Sequence, residues 1–409
     1  MNTKQTSNRG FIWMLAGLIS VGPLAVDAYL PAMPAIADSL GVSIHQIELT
    51  LSIYLVGFAL GQLIGGPLSD RYGRRITIFS GLALYIAGSL VAAMSDTIQL
   101  LWAARLLQAF GGGMGVVNTM AVVRDLYSGR EAAKALSRVV AIMMAAPLVA
   151  PFLGSALLLV SGWRSIFIGL GIYAALLLAA LVWMLPETRQ AATGPSKSPL
   201  KRYLEVLKHR PVLGFLAATA FSQASMFAFI TGSSLLYMEY YEVSAQVFPF
   251  VFGANILVLI LCNRLNVRLL AKASPLRILG FGQGVQLVTG SLLLLIFIIQ
   301  PPPLWVTVGL IMLFIGMQGL IIANGISSAA EYFPHSAATT SAVMNASGFA
   351  MGAVAGGAVG ILGDGSPLPL LGVMAASPVL GIALRRLLHR GLDLTETSKA
   401  EASKAKISN

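Results

Sequence analysis

Twelve long apolar segments dominate this chain of 409 residues. Each is about 20 residues or longer, which is enough for a helix to cross a hydrocarbon layer about 30 Å thick. Only 11% of the residues are charged, whereas a soluble domain has about 25%, so charges are too few to cover a water-facing surface. The sequence predicts an all-α integral membrane protein with spans at 11–36, 48–68, 76–95, 98–123, 134–160, 164–185, 211–236, 246–265, 276–299, 303–324, 336–360 and 367–388.

A polar, basic segment divides these spans into two sets of six. Residues 187–210, ETRQAATGPSKSPLKRYLEVLKHR, are rich in Pro, Gly and Ser, and this composition predicts a linker. Two sets of six suit the repeat construction of many secondary transporters. The predicted organisation is a first six-helix half (1–186), a cytoplasmic linker (187–210), a second six-helix half (211–390) and a cytoplasmic tail (391–409).

Lysine and arginine collect on one side of the predicted topology. If the N-terminus is inside, nearly all of the 27 Lys and Arg residues fall in inside segments, and the exceptions are Arg105 and Arg164. The positive-inside rule then predicts that both termini are cytoplasmic. The net charge of +11 is thus explained by topology, and the scattered basic residues do not predict binding to nucleic acid.

An aspartate interrupts the first apolar run. Asp27 lies among three prolines in PLAVDAYLPAMP, residues 23–34. Acids within a bilayer are costly and usually face a bundle interior or a cavity, and an enclosed carboxyl binds a proton more readily than an exposed one. We predict that Asp27 binds and releases protons. The alternative is an acid that only pairs with a neighbour or caps the kink made by the prolines.

Arg105 is the predicted companion of Asp27. At about 1.5 Å per residue, both charges lie at a matching depth in the outer half of their spans. If the spans are neighbours, Arg105 would stabilise the ionised carboxylate or favour proton release; the alternative is a side chain that extends to the outer interface. Glu48, at the start of the second span, is a candidate accessory proton site, although an acid there also interacts favourably with the helix dipole.

The turn after the second span contains an ordered set of glycines and charges. Its sequence is GGPLSDRYGRR, residues 65–75, in which the aspartate can pair with arginine and the arginines hold the turn inside. This ordering resembles the signature loop of the major facilitator superfamily, G-x-x-x-D-R-x-G-R-R. The resemblance implies the twelve-span fold of that superfamily and a gate motif made of Gly66, Asp70, Arg71, Gly73, Arg74 and Arg75.

Two further motifs resemble those of the superfamily's drug:proton antiporters. LLWAARLLQAFGGG (100–113) is similar to the fourth-span motif and is centred on Arg105. AAPLVAPFLGS (145–155) resembles the fifth-span antiporter motif, with Ala146, Ala150 and Ser155 in place of three of its glycines. The residues that match the antiporter motif are Pro147, Pro151 and Gly154.

Short strings narrow the resemblance further. DAYLPAMP, VRDLY (123–127), PET (186–188) and EYFPHSAATTSA (331–342) together resemble the bicyclomycin/chloramphenicol-resistance (Bcr/CflA) subfamily. The resemblance implies a multi-pass protein of a bacterial inner membrane and transport coupled to a proton gradient, with no cofactor.

Two ridges of small residues are predicted to slide against each other between the halves. Small residues at every fourth position let helices approach closely, and the resemblance puts spans two and eleven at the interface. The alternative is homodimerisation through either ridge, although we expect a monomer. The ridges are Gly57, Gly61 and Gly65, and Gly348, Gly352, Gly356 and Gly360.

Polar, aromatic and Met side chains within the spans are the candidates for substrate contact. Met and aromatic groups suit varied apolar ligands because they repack or stack, although ordinary helix packing would explain each of them equally well. The candidates are Tyr29, Tyr54, Asn118, Gln223, Met226, Phe227, Asn255, Gln318, Asn324 and Asn345.

The favoured hypothesis is a proton-coupled exporter of small hydrophobic or amphipathic compounds, antibiotics among them. One alternative is a transporter of a specific metabolite, such as an amino acid or siderophore. An intramembrane enzyme is not favoured, because the spans contain no HExxH sequence, nucleotide loop or paired histidines. One cysteine, Cys262, excludes an internal disulfide and a cysteine metal cluster.

Overall fold

The computed structural model describes residues 9–127, 129–189, 199–333 and 337–392. Residues 190–198 of the predicted linker, 393–409 of the predicted tail and 334–336 of EYFPHSAATTSA lie outside the described residues. The α-helices are α1 (Arg9–Asp27), α2 (Met33–Leu40), α3 (Ile44–Tyr72), α4 (Arg74–Ala93), α5 (Ile98–Leu126), α6 (Gly129–Ser161), α7 (Arg164–Met184), α8 (Pro199–Lys208), α9 (Arg210–Ser234), α10 (Phe248–Leu269), α11 (Pro275–Ile299), α12 (Leu304–Gly316), α13 (Gln318–Glu331), α14 (Ala337–Leu362) and α15 (Leu368–His389).

Twelve helical segments of the described chain are long and apolar enough to cross a membrane. They coincide with the twelve predicted spans, and their ends differ from the predicted ones by a few residues. The largest difference is in the tenth span, which consists of α12 and α13 and ends at Glu331. The expectation of an all-α fold with twelve spans is confirmed.

The first span is not one continuous helix. α1 ends at Asp27, a short 3-10 turn covers Leu30–Ala32, and α2 begins at Met33. A proline has no N–H to donate, and its ring clashes with the carbonyl group four residues earlier. For Pro31 that carbonyl belongs to Asp27, so the proline explains why α1 ends at the acid.

The predicted linker contains a helix, α8. The Gly and Ser residues of the linker all precede residue 199, and Pro199 occupies the first helical position, where a missing N–H costs nothing. From Pro199 to Lys208 the apolar residues have helical spacing. The polar composition of the linker as a whole concealed this pattern.

The chain packs as two compact units. Unit 1 is formed from residues 1–194 and 233–253, and unit 2 from residues 195–232 and 254–409. In unit 1, α5 packs against both α3 and α4, and α1 packs against α6. In unit 2, α11 packs against α13 and α15. The predicted boundaries at residues 186 and 211 stay predictions.

Each glycine ridge has a packing partner within its own unit. A Cβ atom at Gly57 would lie 2.7 Å from the carbonyl oxygen of Leu106, and one at Gly65 would lie 2.8 Å from Cα of Met114, both on α5. On α14, Cβ atoms at Gly348 and Gly352 would overlap side chains of α9. The close approach that small residues permit is therefore used within each unit. The predicted sliding contact between the halves stays a prediction.

Candidate functional site

Asp27 is a buried acid at the break in the first span. Only 4% of its surface is exposed, and it is the last residue of α1. Within the described parts of the chain, Asp27 has no hydrogen-bond partner and no ion-pair partner. The alternative in which Asp27 is an acid paired with a neighbouring side chain is therefore not supported.

Arg105 lies beside the end of α1 without pairing to the acid. Its side chain is fully buried. Nη1 donates to the carbonyl oxygen of Ala25 at 3.2 Å and to Oε1 of Gln108 at 2.7 Å, and Nε2 of Gln108 donates to the hydroxyl of Ser89 at 2.8 Å. Arg105 thus lies next to the first span, as predicted, and bonds its backbone two residues before Asp27 rather than the carboxylate itself. Its predicted effect on proton release from Asp27 stays a prediction.

Three aromatic rings surround the guanidinium group. Its central carbon lies 4.3 Å from the ring centroid of Tyr54, 4.8 Å from that of Tyr29 and 5.8 Å from that of Phe167. Cation–π attraction is stronger when the partners are removed from water, as they are here. We call Arg105, Tyr29, Tyr54 and Phe167 the arginine cage.

The arginine cage retains unused hydrogen-bonding groups. Nε and Nη2 of Arg105 and the hydroxyl of Tyr54 are buried and have no hydrogen-bond partner among the described residues. The hydroxyl of Tyr29 is hydrogen bonded to Oγ1 of Thr50 at 3.0 Å. Tyr29 and Tyr54, predicted as substrate contacts, therefore both contact the arginine. Phe167 was missed because a single Phe in an apolar run is unremarkable in the sequence.

The antiporter motif presses α6 against the end of α1. A Cβ atom at Gly154 would overlap the carbonyl oxygen of Ala28, the residue after Asp27. Only glycine allows this approach. Pro147 and Pro151 lie within α6, which remains helical through both. The motif thus positions the backbone beside the buried acid.

Glu48 lies on the first turns of α3 and is 1% exposed. Its Oε2 lies 3.0 Å from Nδ1 of His45, while Oε1 is buried with no hydrogen-bond partner in the described chain. This carboxylate is more enclosed than a simple capping acid requires, so its role as an accessory proton site stays a prediction.

The gate motif forms an ion cluster around Arg74. Its Nη1 lies 2.7 Å from Oδ1 of Asp70, and its Nε lies 3.1 Å from Oδ2 of Asp125 at the end of α5. Oγ1 of Thr188 donates to the same Asp125 oxygen at 3.1 Å. The strings VRDLY and PET, noted only as subfamily marks, therefore supply partners for the signature loop.

The other motif arginines do not join the cluster. Arg71 lies over the ring of Tyr72, and Nη2 of Arg75 donates to the carbonyl oxygen of Val182 at 3.1 Å. A Cβ atom at Gly66 would meet nothing within 4 Å, so close packing does not explain that glycine.

Glu187 bonds the PET segment to the turn at Gly73, between α3 and α4. The backbone N–H groups of Arg74 and Arg75 donate to its carboxylate at 2.9 and 3.2 Å. Gly73, between α3 and α4, has φ 102 and ψ 158, a conformation that favours glycine, and a Cβ there would overlap Glu187. Partial burial would raise the pKa of Glu187, but hydrogen bonds from four backbone N–H groups outweigh it and hold that pKa below its usual value.

In unit 2, two predicted substrate contacts share one face of α9. Gln223 and Phe227 are one turn apart and lie against Gly348 and Gly352 of α14. Gln223 is 6% exposed and makes no hydrogen bond to the described residues. The small residues of α14 leave space for the amide of Gln223 and the ring of Phe227. Both side chains can make further contacts there.

The remaining substrate candidates differ in their surroundings. Gln318 bonds the backbone and hydroxyl of Ser222, and Asn324 bonds Oδ1 of Asn266 at 2.7 Å. Both amides are therefore used in packing. Of the rest, Asn118 and Asn255 are buried, Met226 is half-buried and Asn345 is exposed.

Comparison with known proteins identifies the family. The family model described as the major facilitator superfamily matches residues 15–357. The chain belongs to the major facilitator superfamily.

Relatives place this superfamily member in the Bcr/CflA subfamily, as the motifs predicted. It is 31% identical over 385 residues to the bicyclomycin resistance protein homolog of Haemophilus influenzae, covering 93% of this chain and 96% of that protein. It is 32% identical over 381 residues to the chloramphenicol resistance protein of Pseudomonas aeruginosa, covering 87% of this chain and 86% of that one. The chain is thus a multi-pass membrane transporter, and not an enzyme.

A solved structure agrees on the fold. The crystal structure of a bacterial homolog of the human lysosomal transporter Spinster, inward-facing and unoccupied, has a TM-score of 0.72 and covers 96% of this chain and 98% of that chain. The two sequences are 15% identical, so this likeness concerns the fold alone.

Proposed function

We propose that this transporter exports small hydrophobic or amphipathic compounds, antibiotics among them, in exchange for protons across a bacterial inner membrane. The names of the two relatives support the substrate class. The observation on which the proposal depends is Asp27, an enclosed acid with no neutralising partner in the described chain at the break in the first span.

Proton binding to Asp27 would drive the cycle. An ionised carboxylate within a membrane is costly unless a cation neutralises it, and protonation removes that cost. Asp27 would take a proton from the outside, and its neutralisation would favour return of the empty carrier or release of drug. The substrate and the proton would thereby bind in alternate states of the same site.

Arg105 would set how readily the proton leaves. The arginine cage holds a positive charge beside Ala25, two residues before the acid. No acid of the described chain forms an ion pair with this charge, so its attraction for ionised Asp27 acts through space in a medium of low dielectric constant. Displacement of α1 relative to α5 during the cycle would change that attraction.

The Arg74 cluster would hold the inner gate. Its bonds join the loop between α3 and α4 to the end of α5 and to the PET segment. Breaking them would free the loop. With both termini cytoplasmic, as the charge distribution predicts, this loop faces the cell interior.

Reconstituted protein tests the proposal. Purified transporter in proteoliposomes with an imposed pH gradient should move chloramphenicol or bicyclomycin, and drug addition should dissipate the gradient, as measured with an entrapped pH dye. Transport that is unaffected by collapse of the gradient would contradict proton coupling. A screen in which only an amino acid or siderophore moves would favour the metabolite alternative.

A further inference from the structure

The short helix α8, immediately before the seventh span, presents two different apolar faces. Val206 is 1% exposed and belongs to the core of unit 2, with Tyr203 packed against the same core. Leu204 and Leu207 are 43% and 41% exposed. One face therefore fixes the helix to the protein, and a second apolar face is partly open to the surroundings.

Lysines border the exposed leucines. On a helix, residues three or four positions apart are neighbours on one face. Lys201 and Leu207 are each three residues from Leu204, and Lys208 is four residues from it. Both lysines are exposed. The open face of α8 thus combines apolar side chains with positive charge.

The position of α8 follows from its connection to the seventh span. α8 ends at Lys208 and α9, which crosses the membrane, begins at Arg210. The guanidinium of Arg210 donates to the carbonyl oxygens of Leu387 and Arg390 at 3.4 and 3.3 Å, and His389 bonds the carbonyl oxygen of Pro211 at 2.8 Å. The junction is tied to the end of α15, so α8 lies at the membrane boundary.

We propose that the open face of α8 binds the headgroups of anionic phospholipids at the membrane surface. The leucines would enter the boundary between headgroups and acyl chains, as they do in interfacial amphipathic helices, and the lysines would contact the lipid phosphates. Residues 199–210 contain four Lys or Arg and one Glu, so the segment's charge is complementary to an anionic lipid. Such binding would anchor the connection between the first six spans and the last six to the lipid surface.

A quenching experiment on the full-length protein tests this proposal. In a Cys262→Ser background, Leu204→Cys is labelled with an environment-sensitive fluorophore and reconstituted in vesicles with either brominated phosphatidylglycerol or brominated phosphatidylcholine as minor component. Each lysine near an anionic surface strengthens binding to that surface by roughly fivefold. Quenching by brominated phosphatidylglycerol should therefore exceed quenching by brominated phosphatidylcholine.

Charge variants and a matched position separate this effect from general lipid contact. Lys201→Gln with Lys208→Gln should abolish the difference, and Arg at both positions should restore it. Leu295→Cys, 54% exposed on α11 with no Lys or Arg within four residues, should be quenched equally by both lipids. Equal quenching at residue 204, or no quenching because another protein or a second copy covers α8, would overturn the proposal. The readout does not involve drug transport, so it is independent of the proposed exchange mechanism.

Discussion

The guanidinium carbon of Arg105 lies 4.3 Å from the ring centroid of Tyr54, and no ion pair joins this arginine to any acid in the described chain. A buried cation is costly unless something compensates for lost water. Here aromatic faces, a backbone carbonyl and Gln108 provide that compensation. The buried acid and the buried cation of the proposed mechanism are therefore held separately, and each can be tested separately.

The ring of Tyr54 should matter more than its hydroxyl. Tyr54→Phe keeps the ring over Arg105 and removes a buried hydroxyl that has no hydrogen-bond partner among the described residues. Leaving such a group unsatisfied costs about 1–3 kcal/mol. The stability of this variant should be unchanged or higher, whereas Tyr54→Ala should be clearly less stable. Thermal unfolding in detergent measures both. Equal destabilisation by Phe and Ala would show that the hydroxyl has an essential partner.

Asp27→Asn should abolish drug-dependent proton movement while the protein still folds. The amide is close to the carboxyl in shape and has no proton to exchange near neutral pH. The measurement is gradient dissipation in proteoliposomes upon drug addition. Asp38→Asn, an exposed aspartate on α2 of the same span, should behave as wild type. Retained coupling in Asp27→Asn would refute the assigned role.

Two glycine-to-alanine variants should have opposite effects. Gly154→Ala places a methyl group on the carbonyl oxygen of Ala28, and such overpacking typically costs about 1–3 kcal/mol. Transport should fall with stability, because the backbone beside Asp27 is displaced. Gly66→Ala meets no neighbour within 4 Å and should gain up to about 1 kcal/mol in helix propensity. The unfolding midpoints of both variants test this prediction. If Gly154→Ala were as stable as wild type, α6 would not lie in close contact with α1.

The two acids that bond Arg74 should contribute unequally to stability. The side chain of Asp70 is 60% exposed, whereas that of Asp125 is 18% exposed. Exposed ion pairs contribute at most about 1 kcal/mol, so Asp70→Asn should have little effect on unfolding. Asp125→Asn should be more destabilising, since it weakens the bonds to Arg74 and Thr188 together. A larger loss from Asp70→Asn would contradict this order.

Glu187 should make stability depend on pH in the acid range. Its pKa in the folded protein is below its usual value of 4.5, so the ionised carboxylate stabilises the fold above that value. The contribution is lost as pH falls through the lower, folded pKa. Glu187→Gln should therefore be less stable than wild type at pH 7, and the difference should shrink below about pH 4.5. Unfolding midpoints from pH 7 to pH 3 test this prediction. The control is Glu131→Gln, at a side chain that is 68% exposed. Its difference in stability from wild type should change less with pH.

The spans and the two buried charges could be predicted from the sequence because each has a local signal. A run of apolar residues has a length, and Asp27 or Arg105 within such a run is conspicuous. The break at Asp27 was also encoded locally, by Pro31 four residues later. By contrast, the partners of Arg105 come from four different helices, α1, α3, α5 and α7, and no local pattern links Tyr54 to Phe167.

The glycine ridges show a second limit. The spacing of Gly57, Gly61 and Gly65 predicts that some helix approaches closely, and this is correct. It does not identify the helix, which is α5 of the same unit. Likewise the acids of the Arg74 cluster are separated by more than fifty residues in sequence, so only packing brings them together.

Among the described residues Arg105 has no counter-ion, and this has an electrical consequence. Aromatic rings and a carbonyl oxygen solvate the guanidinium without neutralising it, so a whole elementary charge stays inside the membrane. A displacement of one such charge across the full membrane potential is worth about 2.3 kcal/mol per 100 mV. Any step of the cycle that shifts α5 along the membrane normal would thereby respond to voltage as well as to proton concentration.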